Sequence, residues 1–360
     1  MALFSRKKIQ TRDPDPFPPW VPPIWNQNLT GIAVTDDTAL GIVTLWRCVE
    51  LISSTIAGLS VHVYRDGERI ETPAIISQPN PTENRIDTYS ALLTSMLLRG
   101  NGYARLGDFD RFGHPRQLVV LNPDAVQVRL SEATGAITYQ VGDETYTSSE
   151  ILHLRGFMRP GHIVGQGVLD SQKHALGLAI AEHEYTERTF SEGSIPSGII
   201  KTDTDLSPEA ATDLKKAWVQ SHGGRDRTPA VLSGGLDYKA IQLSNSDLEL
   251  LEARKWSATQ VAALFGVPAH LAGAPSSDSL TYSTVQEDSR AFVRFGLRPN
   301  IIRLEQALST VLPRGQAASI NIDSFLRADT LTRYQAHQIA LAAGWVTIEE
   351  VRALEGLPTS

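Results

Sequence analysis

The chain has 360 residues but only one cysteine, Cys48. A single thiol cannot form an internal disulfide and cannot supply a cysteine-rich metal site. Its neighbours are apolar and lie on a predicted helix, which indicates a buried side chain rather than a nucleophile. The scarcity of cysteine therefore excludes a disulfide scaffold, and we expect the chain to assemble in a reducing cytoplasm.

Long apolar runs and excess positive charge are also missing. No stretch approaches the ~20 apolar residues that span a bilayer, so no membrane role is expected. The basic segment 1–10 is not followed by an apolar stretch, so it lacks the pattern of a secretory signal. The net charge is −7. Proteins that grip duplex DNA over their whole surface neutralise phosphates with Lys and Arg and are usually basic, so the charge argues against that class.

Motifs for catalysis and cofactor binding are absent. There is no phosphate-binding loop with Gly-Lys-Ser/Thr, and the glycines at positions 161, 165 and 167 are too loosely spaced for a dinucleotide fingerprint. His183-Glu184 begins like a zinc-protease motif, but Glu187 stands where the second histidine would be needed. His174 is nine positions from His183 and shares its helix face only approximately. The sequence predicts neither an enzyme nor a cofactor or metal site.

The first 30 residues form a predicted flexible arm. A basic start is followed by six prolines, which disfavour a helix. Two interpretations stay open: a tail without fixed structure, or an arm that orders by laying Phe17, Trp20 and Trp25 on a neighbouring subunit.

Helix and strand patterns then alternate up to about residue 168, which predicts an α+β module. Apolar spacing predicts helices over 38–59 and 86–99, the second ended by Gly100-Asn101-Gly102. Short alternating segments bounded by turn residues predict strands at 61–64, 103–106, 118–121, 126–130, 137–141 and 151–154.

Two long helices around a small α/β insert follow. The helices are predicted over 169–192 and 246–265, the second opened by a capping box of Ser246 and Glu249. The insert has predicted strands at 198–202, 230–232 and 238–242, and a helix that Ser207 and Pro208 open.

The C-terminal third begins with a Gly/Pro/Ser-rich stretch, 272–279. A helix over 283–312 follows, and Pro299 is predicted to kink it. A helix over 331–343 ends at Gly344, and Thr347 and Glu350 cap a last short helix.

Two segments resemble DNA-reading helix-turn-helix motifs in part. Segment 257–271 has the apolar spacing and central glycine, but its second helix would contain Pro268 and carries no Arg or Lys. In segment 331–354 the second helix presents Glu349 and Glu350, which would repel phosphates. A DNA-binding regulator therefore stays only as an alternative.

Eight motifs, in order along the chain, resemble those of portal proteins of long-tailed (siphovirus-type) bacteriophages. They are Cys48-Val49 through Ile56-Ala57; Pro79-Asn80-Pro81; Leu97 through Ala104; Ile151 through Arg155; Phe190 through Gly193 with Pro196 and Gly198-Ile199-Ile200; Phe265-Gly266-Val267-Pro268 with Leu271 and Gly273, then Tyr282, Gln286-Glu287, Leu297 and Pro299; Leu326 through Asp329; and Gly344, Thr347, Glu350-Val351-Arg352 and Glu355 through Pro358. The most specific is Phe265-Gly266-Val267-Pro268.

The resemblance implies an α+β, portal-type subunit with an α/β wing, a stem of long helices, a small α/β clip and C-terminal helices. In order, its implied segments are a flexible arm 1–30, wing 31–168, first stem helix 169–194, clip 195–244, second stem helix 245–268, tunnel loop 269–282, kinked helix and return to the wing 283–328, and a helical crown base 329–360.

The resemblance also implies a function and partners. The subunit would belong to a dodecameric ring at one capsid vertex of the virion, through which double-stranded DNA is packaged and ejected. Implied partners are the terminase motor, the capsid or scaffold protein and the head-tail adaptor, with assembly in the host cytoplasm. The candidate DNA-facing residues of the tunnel loop are Ser276, Ser277, Asp278 and Ser279.

Overall fold

The computed structural model describes residues 31, 33–131, 134–191, 198–202, 207–222, 236–240, 245–275, 282–322 and 330–355. The chain divides into two compact units: Met1–Leu178 with Ser257–Ser360, and Ala179–Trp256. The predicted arm 1–30 lies outside the described residues.

Helices and strands are interleaved along the chain. The helices are α1 (Asp36–Leu40), α2 (Val43–Gly58), α3 (Ala74–Ser77), α4 (Arg85–Arg99), α5 (Val168–Ser171), α6 (Lys173–Ser191), α7 (Pro208–His222), α8 (Asn245–Leu264), α9 (Tyr282–Ala291), α10 (Arg298–Thr310), α11 (Thr330–Ala342) and α12 (Ile348–Leu354). The strands are β1 (Val61–Arg65), β2 (Glu68–Ile70), β3 (Asn101–Phe109), β4 (Pro115–Leu121), β5 (Val126–Leu130), β6 (Ile137–Val141), β7 (Glu144–Thr147), β8 (Ile151–Arg155), β9 (Gly198–Thr202), β10 (Leu236–Ala240) and β11 (Gln316–Ile320).

Among its described residues, the larger unit has three antiparallel sheets, with strand orders β11-β1-β2, β4-β3-β8 and β5-β6-β7. A turn follows β1, where Asp66 and Gly67 both have positive φ and the chain reverses into β2. In the first sheet, Val61 of β1 pairs with Ile320 of β11, although more than 250 positions separate them along the chain. This pairing ties the N-terminal and C-terminal parts of the larger unit together.

Helices α2 and α4 pack against each other and supply many of the buried residues of the main hydrophobic core. On α2, Leu45, Cys48, Ile52 and Ile56 recur at helical spacing and are buried. They share one face because residues three or four apart align on a helix. The predicted buried side chain of Cys48 is confirmed, and burial raises the pKa of its thiol to about 12.

Along the sequence, the described part of the smaller unit includes strand β9, then helix α7, then strand β10. β9 and β10 pair antiparallel, with Tyr238 opposite Ile200. Helix α7 begins at Pro208, and the hydroxyl of Ser207 accepts a hydrogen bond from the N–H of Ala210, as the sequence predicts for a helix start. The predicted strand at 230–232 lies outside the described residues.

Several predicted elements differ in detail. The helix predicted over 38–59 is split at Gly41 and Ile42 into α1 and α2, and that predicted over 169–192 is split at Gln172. α8 begins at Asn245, one position before the predicted cap Ser246, so Ser246 is not the N-cap.

The kink predicted at Pro299 takes the form of a π-helical turn over Phe292–Leu297, with Pro299 in the first turn of α10. Proline lacks the N–H that would bond four residues back, and its ring clashes with that carbonyl. The disruption therefore precedes the proline.

Candidate functional site

Asn101 lies at the end of α4, in the predicted helix stop. Gly100 adopts a φ of 76°, and its N–H donates to the carbonyl of Met96, which closes the helix. The stop is a single residue, because β3 begins at once with Asn101 and includes Gly102. This abrupt turn leaves the Asn101 side chain buried between the helix and the sheet.

The Asn101 amide makes a paired contact with the backbone of Gly165. Its Nδ2 donates to the Gly165 carbonyl at 2.8 Å, and its Oδ1 accepts from the Gly165 N–H at 2.7 Å. The side chain thus substitutes for a β-strand partner. It fixes the segment that precedes α5 onto the start of β3.

Four glycines make this contact possible: Gly100, Gly156, Gly165 and Gly167, which we call the glycine junction. A Cβ on Gly165 would lie 2.1 Å from the Gly100 carbonyl oxygen, and one on Gly167 would lie 2.5 Å from the carbonyl oxygen of Leu98. Any side chain there would force the backbones apart. The glycines at 165 and 167 therefore serve close packing.

His153 continues the network from Asn101. Its Nε2 lies 3.0 Å from Asn101 Oδ1, its Nδ1 lies 3.1 Å from the Tyr139 hydroxyl, and Arg155 Nε donates to Nδ1 at 3.2 Å. Asn101 Oδ1 can only accept, so Nε2 carries the proton and Nδ1 is the acceptor. Burial, and next the charge of Arg155, lower the pKa of His153 to about 3. The ring is neutral and fully engaged.

Arg99, the last residue of α4, forms two ion pairs next to the glycine junction. Its guanidinium lies 3.1 Å from Asp36 and 2.7 Å from Asp124. Burial raises the pKa of Asp36, opposed by Arg99, and burial also raises the pKa of Asp170. Arg99 thereby joins α1, α4 and the turn before β5 around the glycine junction.

The Phe265-Gly266-Val267-Pro268 motif ends α8 with a Schellman cap. Gly266 has a φ of 65° and donates to the carbonyl of Ala263, while the N–H of Val267 donates to Ala262. Val267 is buried together with Val261 and Ala262 in the last turns of α8, the positions whose apolar contact accompanies such caps. The motif is a helix stop that redirects the chain into the core.

The chain after this cap is fixed against α2 and the helices that follow. Gly266 packs closely on Gly296 of the π-helical turn, where a Cβ would lie 2.7 Å from the Gly266 carbonyl oxygen. Arg47 Nε donates to the carbonyl of Leu271, and His270 lies 3.5 Å from Asp288. Residues at the start of the candidate tunnel loop and just after it are thereby held; Ser276, Ser277, Asp278 and Ser279 themselves lie outside the described residues.

The geometry does not provide the recognition helix that a regulator would need at 257–271. Beyond Gly266 the chain makes one turn, closed by the positive φ of Gly273. The second segment is two helices around Gly344, with the predicted capping box confirmed: Thr347 Oγ1 accepts from the Glu350 N–H, and Glu350 accepts from the Thr347 N–H. Glu349 and Glu350 therefore lie at the start of α12, where a DNA reader would need cations.

Within the described ranges, no group of three or more His, Cys, Asp or Glu side chains is arranged to hold a metal ion. No helix in those ranges is long and apolar enough to cross a membrane. Glu184, which belongs to the incomplete zinc-protease motif, forms an ion pair with Arg188, with 3.4 Å between its carboxylate and the guanidinium.

Comparison of the sequence with models of known protein families identifies the family of this chain. The sequence model of the phage portal protein family matches residues 43–356, nearly the whole chain. The chain belongs to this family. The match confirms the resemblance seen in the sequence motifs and gives no support to the helix-turn-helix regulator.

Relatives and a solved structure agree. The probable portal protein of Streptomyces phage phiC31 is 28% identical over 390 aligned positions, covering 99% of this chain and 84% of the relative. The portal protein of Enterobacteria phage HK97 is 25% identical, with 91% and 81% covered. A chain from the neck of a native gene transfer agent particle, computed with C12 symmetry, superimposes with a TM-score of 0.68 at 25% identity, covering 94% of this chain and 96% of that one. The predicted α+β, portal-type fold is confirmed. The family is structural rather than enzymatic.

Proposed function

We propose that the chain is one subunit of the ring at a capsid vertex of a virion, through which double-stranded DNA is packaged and ejected. The observation that carries this proposal is the family match over residues 43–356. The C12 symmetry of the similar neck chain supports a dodecameric ring. Assembly takes place in the host cytoplasm, with the scaffold or major capsid protein, the terminase motor and the head-tail adaptor as partners.

The parts of the subunit are assigned in this proposal as follows. Residues 31–168 are the wing, and α6 and α8 are the stem helices. Residues 195–244, which contain β9, α7 and β10, are the clip that meets the motor and later the adaptor. Helices α11 and α12 form the base of the crown. The glycine junction lies between the wing and the first stem segment, where close backbone packing makes a stiff joint.

The tunnel loop is proposed to guide DNA with little friction. DNA must slide past the ring, so strong electrostatic attraction at a narrow point would act as a brake. Ser276, Ser277, Asp278 and Ser279 are small and polar or weakly repulsive to phosphate. The contacts of Leu271 with Arg47 and of His270 with Asp288 hold the first residues of the proposed loop.

Lysine substitution tests this role. Ser276→Lys, Ser277→Lys and Ser279→Lys together should leave ring assembly intact and lower DNA packaging, because three cations per subunit would bind passing phosphates. The control carries three lysines at exposed wing positions, Glu68→Lys, Thr134→Lys and Asp143→Lys. Normal packaging by rings with the lysine loop would refute the low-friction loop.

A further inference from the structure

A cavity of about 850 Å³ opens on the larger unit between α9, α10 and β11. Three arginines line one side, and isoleucines form much of its floor; we call this surface the arginine groove and define it by Arg290, Arg294, Arg298, Ile301, Ile302 and Ile320. Ile301 and Ile320 are buried, whereas Ile302 is half exposed. The groove thus combines an apolar floor with a cationic edge.

The three arginines lack acidic partners in the described part of the chain. Each is exposed, and no described carboxylate lies within salt-bridge distance of any of them. Glu305, which also lines the groove, instead accepts a hydrogen bond from the Ile320 N–H at 2.6 Å. Like charges four residues apart on a helix repel one another. The edge is therefore complementary to an anionic ligand.

A second surface of the same chain has the opposite character. Trp345 and Ile348 are 77% and 67% exposed, and the exposed Glu349 follows them at the start of α12. We call these three residues the acidic knob. No described element outside α11 and α12 packs extensively on this hairpin. Isolated exposed apolar residues are ordinary, but a tryptophan and an isoleucine beside carboxylates on one short hairpin form a surface suited to a partner.

We propose that the arginine groove of one subunit receives the acidic knob of a neighbouring copy. The apolar floor would take Trp345 and Ile348, while the arginine edge would pair with Glu349. DNA fits the groove less well, because a phosphate backbone leaves the isoleucine floor exposed. The N-terminal arm fits less well too, since its first twelve residues carry four cations and no carboxylate. The inference rests on the proposed ring, because a closed ring gives each groove one neighbour.

Cysteine crosslinking tests the contact directly. Ser319→Cys places a thiol in the groove lining, and Glu349→Cys places one on the knob. In assembled rings a short bismaleimide should convert the double variant into a ladder of covalent multimers, whereas each single variant should stay monomeric in denaturing gels. The native Cys48 is buried and leaves little background. A crosslink confined to the monomer, or no crosslink, would overturn the proposal.

Charge reversal tests the energetics. Arg294→Glu and Glu349→Arg should each raise the concentration needed for ring assembly about tenfold or more, and combining them should restore most of the loss. Arg116→Glu, an exposed arginine on β4, is the matched control and should have no effect. Rings of normal stability with impaired packaging would assign the arginines to DNA and refute the subunit contact. Absence of rings in the unaltered chain would instead count against the proposed function.

Discussion

At the scale of single residues, Asn101 is the side chain with the most demanding role. It satisfies the N–H and the carbonyl of Gly165 and also faces His153. Asn101→Ala should lower the free energy of unfolding by about 2–3 kcal/mol, because buried polar groups lose their partners. Urea denaturation measures this loss. Thr145→Ala, at an exposed position of β7, is the control and should change stability by less than about 0.5 kcal/mol. An equal, small effect of both variants would contradict the paired contact of Asn101 with Gly165.

His153 predicts a pH dependence of stability. Its pKa in the folded chain is about 3, below the 6.5 of an unperturbed histidine. Above pH 6.5 the ring is neutral in both states and contributes no dependence. Between pH 6.5 and 3 the unfolded chain gains the proton while the folded chain does not, so stability falls as the pH falls, by up to about 1.4 kcal/mol per pH unit.

His153→Gln removes the titrating group, so its stability should depend less on pH in that window. The measurement is the free energy of unfolding of both proteins from pH 7 to pH 4. Identical slopes would show that His153 titrates normally in the folded chain. Such a result would contradict the buried, neutral ring described above.

At the scale of elements, the close approach of α8 and the π-helical turn is the contact most open to test. Gly296→Ala places a Cβ 2.7 Å from both the Gly266 carbonyl oxygen and the Phe292 ring. The backbone of Gly296 is helical, so the expected loss of about 1–3 kcal/mol comes from overpacking alone.

Gly58→Ala is the matched control for this variant. Gly58 is also helical and has open space around the position of a Cβ, so alanine should be neutral or slightly stabilising. Thermal unfolding of the two variants separates the effects. A neutral Gly296→Ala would mean that the end of α8 is free to move relative to the π-helical turn.

Turn and helix-stop residues predict the ends of helices and strands well, whereas contacts between distant parts of the chain cannot be predicted from them. Asp66-Gly67, Gly100 and Gly344 each mark a turn or helix end that backbone conformation confirms. β11 was missed because the run from Gln316 to Ile320 has little β-branched character, and its partner β1 lies at the other end of the chain. The π-helical turn was also missed, since proline indicates a kink without giving its form.

The candidate site shows the same limit. The motif that contains Asn101 and the one that contains His153 could be identified as family features, but their mutual contact could not be predicted. That contact depends on the pairing of β3 with β8, which sets Asn101 opposite Arg155. An asparagine between two glycines at a helix end was the available signal, because such a position often needs a side chain to satisfy nearby backbone groups.

At the scale of the whole molecule, the chain has a net charge of −7, whereas the arginine groove presents three exposed arginines that pair with no described carboxylate. In the proposed ring, an acidic subunit avoids strong binding to the DNA that passes it. In the same proposal, the local cationic groove is the contact for an acidic surface of a neighbouring copy. Charge is thus distributed for assembly rather than for gripping nucleic acid.

Electron microscopy of the purified chain, with native mass measured on the same sample, tests the central claim most directly. The account predicts rings with a central hole, and a mass of twelve subunits would match the symmetry of the similar neck chain. A compact dimer that binds one DNA sequence tightly would contradict it.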